Sequence, residues 1–219
     1  MRMRKKKHLD ERFAVCAPVM AHAPEGLRGR WRALFGNGNP LHVEIGCGKG
    51  RFVLGMAKLH PDVNFVAIER EEGALIMATE KAMQDVPPNV RFLSYDATAL
   101  RDIFSPGEVD LIYLNFSDPW PPNRQRKRRL TYRAFLDVYN DILTEKGALY
   151  FKTDNQRLFE WSLGEICAYG WLLQNISLDL HTSAFEGNVM TEYEERFSAQ
   201  GSRIYRLEAR RRLPEFMPK

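Results

Sequence analysis

Four acidic residues come at or near the ends of predicted strands, where a sheet can offer carboxylates to a ligand. In chain order they are Glu44, Glu69, Asp96 and Asp118. Ligands of open α/β sheets lie beyond the carboxyl ends of the strands. A carboxylate there can accept hydrogen bonds from ribose hydroxyls or attract a cationic group. The four acids therefore predict one binding site at a single edge of the sheet.

A glycine turn joins the first predicted strand to a helix. The stretch 41–50 is L-H-V-E-I-G-C-G-K-G, so three glycines alternate after an apolar strand. Strand, glycine turn and helix open a nucleotide-binding βαβ unit, because glycine lets the backbone approach a ligand closely. The spacing differs from the G-x-G-x-x-G that holds a dinucleotide pyrophosphate. It resembles the first motif of the Rossmann-like S-adenosylmethionine methyltransferases, whose cofactor has no pyrophosphate and carries a sulfonium and an ammonium.

Composition indicates an ordinary globular protein. The chain has 219 residues, of which 44% are hydrophobic and 27% charged, and this predicts one domain with a sizeable core. No apolar run reaches membrane-spanning length and the N-terminus has no signal-peptide core, so we expect a cytoplasmic protein. Three scattered cysteines predict neither disulfides nor a metal site.

Basic residues concentrate in three segments, although the net charge is only +4. Five of the first seven residues are Arg or Lys, a second cluster, Arg124–Arg129, closely follows Asp118, and a third is Arg210–Arg212. Such runs are often solvated faces or disordered tails. Because the second cluster lies on the ligand side of the predicted sheet, we favour a phosphate-binding role for it.

The hydrophobic pattern predicts an α/β fold with helices on both faces of a mostly parallel seven-stranded sheet. The predicted strands are 41–45, 64–69, 90–95, 109–116, 148–153, 171–180 and 204–210, the last of them antiparallel. The predicted helices include 71–84, 132–143, which Gly147 closes, and 156–169. Residues 181–202 are predicted to be a polar loop. We expect a basic arm with a short helical lead-in at 1–40 and the domain itself at 41–219.

Further motifs extend the resemblance over nearly the whole chain, from Val43 to about Arg206. They are V-E-I-G-C-G-K-G, A-I-E-R, F-S-D-P-W-P, R-K-R-R-L, T-D-N and T-E-Y-E. Together these motifs resemble the bacterial tRNA (guanine-N7-)-methyltransferase family. The resemblance implies a Rossmann-like class I methyltransferase fold, S-adenosylmethionine as the cofactor and tRNA as the partner. It further implies methylation of N7 of guanine in the tRNA variable loop, at position 46 in tRNA numbering.

The resemblance also implies roles for individual residues. The implied cofactor contacts are Glu44, Gly46, Gly48, Glu69, Asp96 and Asp118, of which Asp118 is also the implied catalytic residue. The implied contacts to the target nucleotide are Asp154, Thr191, Glu192, Tyr193 and Glu194. The implied contacts to RNA are Arg124, Arg126, Lys127, Arg128 and Arg129. Many family members carry a lysine after D-P-W-P, where this chain has Pro122-Asn123, so Arg124 or Arg126 would supply that charge.

The implied reaction needs no general base. Guanine N7 carries a free lone pair on the major-groove edge, so it can attack a methyl group without first losing a proton. No histidine lies in any of the motifs, which agrees with this chemistry. Catalysis would come mainly from alignment of N7, the methyl carbon and sulfur, and Asp118 would stabilise the positive charge that moves to the purine.

Recognition of guanine would use its opposite edge, which carries the two N–H donors N1 and N2. One carboxylate can accept both hydrogen bonds, and Glu192, Glu194 and Asp154 are the candidates. Alternatively, these acids only pair with neighbouring arginines such as Arg196. The target base must be in a loop or turned out of its stack.

The sequence leaves three other functions open. A methyltransferase acting on an exocyclic amine would carry D/N-P-P-Y/W at this turn, and D-P-W-P is close to that pattern. The glycine spacing argues against a nicotinamide-dependent oxidoreductase. The acids at four strand ends argue against a non-catalytic RNA-binding protein on the same fold. Monomer and homodimer are both open.

Overall fold

The computed structural model of the protein describes residues 8–121 and 123–211. The basic arm at residues 1–7, Pro122 and the basic tail from Arg212 onward lie outside these described residues. Within them the chain forms one seven-stranded sheet flanked by helices. None of the helices in this described part combines the length and apolar character needed to cross a membrane.

The sheet has six strands in one direction and one in the other. Its strands are β1 Leu41–Ile45, β2 Asn64–Ile68, β3 Val90–Leu93, β4 Val109–Asn115, β5 Leu143–Thr153, β6 Leu172–Ser177 and β7 Tyr205–Arg210. Their order across the sheet is β3-β2-β1-β4-β5-β7-β6, and β7 alone runs antiparallel to its neighbours. The predicted α/β architecture, with its single antiparallel strand, is confirmed.

Helices pack on both faces of this sheet. They are α1 Leu9–Val15, α2 Trp31–Phe35, α3 Arg51–Leu59, α4 Glu72–Ala82, α5 Leu100–Ile103, α6 Arg133–Ile142, α7 Gln156–Tyr169 and α8 Glu192–Ser198. The apolar run of β4 divides between two core clusters: Ile112 and Leu114 pack in one, Leu111 and Tyr113 in the other. A central parallel strand is covered on both faces, which is why its sequence is almost continuously apolar.

The strand register brings the predicted site residues to one edge. Ile45 at the end of β1 lies opposite Ile68 of β2 and Leu114 of β4. These three strands therefore end at nearly the same level. The glycine turn, Glu69 and the segment after β4 consequently leave the sheet side by side.

Several predicted boundaries are wrong. Gly147 does not close α6, because the helix ends at Ile142 and β5 begins at once with the buried Leu143, which pairs with Val109. Gly147 instead lies inside β5, beside an irregularity in its pairing with β4. The sixth strand is shorter than predicted, and its pairing with β7 shifts register around Asn175, where the backbone is left-handed. The predicted polar loop at 181–202 contains α8.

The lead-in before β1 is built into the core. Trp31 is fully buried, and its indole Nε1 donates to the carbonyl of Ile103 at 2.7 Å. The buried carboxylate of Glu108 accepts hydrogen bonds from the backbone N–H groups of Gly29 and Trp31. We therefore propose that the folded domain begins before Leu41.

Replacing Trp31 tests that proposal. Trp31→Ala should lower the free energy of unfolding by about 3–5 kcal/mol, because it leaves a large cavity and leaves the carbonyl of Ile103 without its hydrogen-bond donor. Leu34→Ala on the exposed side of the same helix should cost less than about 1 kcal/mol. Urea unfolding of both variants measures the difference. If Trp31→Ala lowered the free energy of unfolding as little as Leu34→Ala is expected to, the lead-in would be peripheral to the core.

Candidate active site

A cavity of about 520 Å³ lies beyond the carboxyl ends of β1, β2 and β4. This volume is in the range of sites for small molecules and cofactors. Its lining includes five residues that the sequence predicted as cofactor contacts: Gly46, Gly48, Glu69, Asp96 and Asp118. The cavity is also lined by residues to which the sequence analysis assigned no contact, among them Arg70, Tyr95, Thr98, Asn115 and Trp120.

The glycine turn and Glu69 are joined by backbone hydrogen bonds. Gly46 and Gly48 both have positive φ, at 80° and 56°, which glycine adopts without strain. The N–H of Gly48 donates to Glu69 Oε2 at 3.0 Å, and the N–H of Glu71 donates to Oε1 at 2.8 Å. Each carboxylate oxygen can accept a further hydrogen bond. Glu69 is therefore fixed at the cavity wall and still able to accept from a ligand hydroxyl.

Asp96 both caps a short helical turn and lines the cavity. Its Oδ1 accepts from the N–H of Thr98 at 2.8 Å and from the hydroxyl at 2.7 Å. Its Oδ2 lies 3.4 Å from Arg70. The hydrogen bonds from Thr98 hold the pKa of Asp96 below its ordinary value. Asp96 can therefore cap the short helical turn and still present a carboxylate to a ligand in the cavity.

Glu44 does not line the cavity, in contrast to the prediction. It is 1% exposed and lies behind Asn115, whose side-chain amide donates to Oε1 at 2.9 Å. Its other oxygen, Oε2, is buried and has no hydrogen-bond partner among the described residues. Burial raises the pKa of Glu44 to about 8, although the hydrogen bond from Asn115 opposes the shift. Glu44 is therefore a buried acid one layer behind the cavity wall.

The turn after β4 carries Asp118 in a strained backbone. Phe116 and Trp120, on either side of it, have φ of 54° and 42°, which side chains other than glycine rarely adopt. Asp118 is exposed at the cavity and makes no hydrogen bond or ion pair with another described residue. Strain of this kind persists only where neighbouring groups impose it, and it is concentrated at functional sites.

The basic segment after this turn is divided between surface and interior. Arg124 and Arg126 are exposed, and Lys127 and Arg128 reach the cavity, where the Arg128 guanidinium lies 4.6 Å from the centre of the Trp120 ring. Arg129 is 6% exposed. The structure does not support the predicted contact of Arg129 with RNA, because its guanidinium is buried and faces the protein.

The T-E-Y-E motif begins α8 rather than lying in a loop. The Thr191 hydroxyl accepts from the N–H of Glu194 at 2.9 Å and so caps the helix. Threonine followed three residues later by glutamate is the sequence pattern of a capping box, and this signal could have predicted the helix.

Glu194 faces the interior, which contradicts its predicted role in holding the target base. It is fully buried and accepts from the Lys152 ammonium at 2.7 Å and from the Asn188 amide at 2.7 Å. The ring of His181 lies 3.2 Å away. Glu194 therefore connects α8 and the preceding loop to β5 and has no free face for a ligand.

The other residues of the motif remain near the surface. Glu192 forms an ion pair with Lys81 of α4. The Tyr193 hydroxyl donates to Asp154 at 3.3 Å, and its ring lies 5.2 Å from that of Phe116, which lines the cavity. Neither Asp154 nor the T-E-Y-E residues line the cavity itself. They form a rim next to it, joined to the strained turn through Phe116.

Comparison with known proteins shows which family carries this arrangement. A family model described as "Putative methyltransferase" matches residues 38–207. The tRNA (guanine-N(7)-)-methyltransferase of Geobacillus sp. (strain WCH70) is 50% identical over 210 residues, 96% of each chain. That of Bacillus subtilis (strain 168) is 50% identical over 95% of this chain and 98% of its own. The chain belongs to the bacterial tRNA (guanine-N7-)-methyltransferase family.

Solved structures agree on the fold of this family member. A 16S rRNA (adenine(1408)-N(1))-methyltransferase from Catenulisporales acidiphilia, with the cosubstrate SAM, matches with a TM-score of 0.61 at 14% identity, over 91% of this chain and 96% of its own. An antibiotic-related methyltransferase matches with a TM-score of 0.60 at 16% identity, over 83% and 92%. At such identities the matches show a class I methyltransferase fold.

The site of this methyltransferase fits S-adenosylmethionine, the cofactor of the family. The glycine turn forms a cradle without side chains, and a Cβ added at Gly46 or Gly48 would project into open space. The carboxylates of Glu69, Asp96 and Asp118 lie in the cavity wall, where they can attract the cationic groups of this ligand. Behind the wall, the buried Oε2 of Glu44 has no hydrogen-bond partner among the described residues.

Burial of Glu44 predicts a pH-dependent stability. Between the ordinary pKa of 4.5 and the folded value of about 8, the folded protein binds this proton more tightly than the unfolded chain does. The free energy of unfolding should therefore fall as pH rises through this range. Glu44→Gln has no such proton, so its stability relative to wild type should increase between about pH 6 and about pH 8.5. Urea unfolding at both pH values measures this, and a constant difference would contradict it.

Two of the three glutamates of α8, Glu194 and Glu192, should contribute unequally to stability. Glu194→Ala leaves the buried Lys152 ammonium without its counter-charge and should cost about 3–5 kcal/mol of unfolding free energy. Glu192→Ala breaks a partly exposed ion pair and should cost less than about 1 kcal/mol. Thermal and urea unfolding of the two variants give the comparison. A larger loss for Glu192→Ala would mean that Glu194 is not the structural member of the pair.

Proposed function

We propose that this protein transfers the methyl group of S-adenosylmethionine to N7 of a guanine in tRNA, in the variable loop at position 46. One observation carries the proposal: the chain matches tRNA (guanine-N(7)-)-methyltransferases at about half identity over nearly its whole length. The cavity at the carboxyl ends of the strands supports it. We expect the enzyme to act in the cytoplasm, as a monomer or homodimer.

The cofactor contacts we propose follow from the cavity wall. Glu69 accepts hydrogen bonds from the ribose hydroxyls, because both of its oxygens are fixed by backbone N–H groups and keep free lone pairs. Asp96 accepts from the adenine amino group. Gly46 and Gly48 let the cofactor approach the backbone. Glu44 acts from behind Asn115 as a buried negative charge when a cationic ligand is near.

The tRNA contacts we propose lie on both sides of the strained turn. On one side, the exposed Arg124 and Arg126, with Lys127 and Arg128 at the cavity, bind phosphates of the RNA backbone. On the other side, the rim formed by Asp154 and Thr191–Tyr193 meets the target nucleotide. Asp154 is the acid that we assign to the N1 and N2 donors of guanine, because Glu194 is buried and Glu192 is paired with Lys81.

The reaction we propose is a direct displacement in which the protein aligns the reactants. When bound, S-adenosylmethionine supplies an electrophilic methyl group on a positively charged sulfur. Asp118, exposed at the cavity and free of other partners among the described residues, places a carboxylate beside the transferring charge. It stabilises the guanine as its ring becomes cationic. No residue has to remove a proton, because N7 has a free lone pair.

A direct test uses unmodified tRNA transcripts and cofactor labelled on its methyl group, followed by digestion to nucleosides. The proposal predicts labelled N7-methylguanosine from the variable loop. A transcript made with 7-deazaguanosine, in which a C–H replaces N7, should accept no label. Label on an exocyclic amine or on adenine would still show that the protein is a methyltransferase, but it would overturn the proposed target atom. Absence of transfer with tRNA binding intact would leave only an RNA-binding protein.

Asp118 should affect the chemical step. Asp118→Asn keeps the shape of the side chain but loses its charge, so the single-turnover rate at saturating tRNA and cofactor should fall about 10- to 100-fold. Asp62→Asn is the matched control, since Asp62 is exposed before β2, at the opposite end of the sheet. Its rate should stay within about twofold of wild type. A near wild-type rate for Asp118→Asn would remove Asp118 from the mechanism.

A further inference from the structure

The buried end of the basic segment holds the turn that carries Asp118. Arg129 Nε donates to the carbonyl of Pro119 at 2.9 Å, and its Nη2 donates to the carbonyl of Trp120 at 3.1 Å. Among the described residues, no other hydrogen bond reaches the turn residues 117–120. The preceding Phe116 is fixed through its N–H, which donates to the carbonyl of Lys152 at 2.8 Å. Arg129 thus fixes the far side of the turn.

Arg129 is itself held from two directions. Its guanidinium lies 4.5 Å from the centre of the Trp161 ring of α7. Its backbone N–H donates to the carbonyl of Arg126, and its carbonyl accepts from Tyr132 just before α6. The guanidinium therefore joins the turn after β4 to α7 and to the basic segment. A planar, forked donor suits two neighbouring carbonyls better than an ammonium does.

The charge of Arg129 is unusual because it has no carboxylate partner within ion-pair distance in the described part of the chain. Its partners are two carbonyl dipoles and the face of an indole ring. Burial accordingly lowers the pKa of Arg129 from its ordinary value. A buried charge without a counter-ion is costly, so its retention at this point needs a reason. The strained backbone at Trp120, with φ of 42°, is the feature that it touches.

We propose that Arg129 is a positioning residue that holds the turn so that Asp118 faces the cavity, and that it does not contact RNA. The inference rests on the proposed methyl transfer. It assigns different roles to neighbouring arginines. The exposed ones bind phosphate, and the buried one links their segment to the turn that carries Asp118. Because alignment dominates a direct displacement, an error of about 1 Å at Asp118 can cost about 100-fold in rate.

A matched pair of variants separates the two roles. Arg129→Gln and Arg126→Gln each remove one positive charge from the same segment. Arg126→Gln should weaken tRNA binding and reduce its salt dependence. Arg129→Gln should lower the single-turnover methyl-transfer rate at saturating tRNA about 10- to 100-fold, with tRNA affinity within about threefold of wild type. The inference is overturned if Arg129→Gln behaves as Arg126→Gln does.

A second variant covers the case in which Arg129→Gln fails to fold. Arg129→Lys keeps the charge but cannot donate to both carbonyls in the same plane, so its single-turnover rate should still fall about tenfold or more. Thermal melting confirms that the variant is folded at the assay temperature. A wild-type rate for folded Arg129→Lys overturns the inference, and so does a failure of both variants to fold, because the residue would then be required only for folding.

Chemical rescue gives a readout that a purely structural defect would not show. Arg129→Ala removes the guanidinium, and guanidinium chloride at low millimolar concentration should restore part of the lost rate. Urea, which has the same shape without the charge, should restore none. Equal responses to the two solutes would contradict the inference. The product of the wild-type enzyme is identified in the same assay. Methylation of another atom would show that the proposed function is wrong, and this outcome is distinct from a failure of the inference about Arg129.

Discussion

The backbone between β4 and the basic segment is strained. Phe116 and Trp120 both have positive φ, and each such residue costs of order 1–3 kcal/mol. Direct displacement at guanine N7 depends mainly on the relative placement of three atoms, so an enzyme for it needs rigid positions more than reactive groups. The turn supplies that rigidity around Asp118, and β5 on one side and Arg129 on the other keep it in place.

The residues around this turn face two kinds of ligand. Inside the cavity the wall carries the carboxylates of Glu69, Asp96 and Asp118, which can meet the cationic groups of the cofactor, together with three basic side chains, Arg70, Lys127 and Arg128. Outside, Arg124 and Arg126 face solvent, which suits the phosphates of a nucleic acid. The turn lies between the two surfaces, where the transferring methyl group must pass from one ligand to the other. Buried charges, in contrast, hold the frame: Lys152 and Glu194 connect β5 to α8.

Local sequence patterns predicted the fold and five of the residues that line the cavity, and failed where burial depends on distant partners. Glu69, Asp96 and Asp118 were predictable because the ends of parallel strands converge, whatever the details of packing. Glu194 was misjudged because its partner Lys152 lies inside β5, at a position that looks like an ordinary strand residue. Arg129 was misjudged because charge runs are usually exposed, and only the position of Trp161 on α7 shows otherwise.

The central claim is that catalysis comes from alignment beside a fixed carboxylate, without removal of a proton from guanine. The most direct test is the pH dependence of the single-turnover rate of methyl transfer, with tRNA and cofactor both saturating. The account predicts a rate constant that changes less than about threefold between about pH 6.5 and pH 8.5. A rate constant that rises about tenfold for each pH unit over that range would show that a general base is required, and would contradict the account.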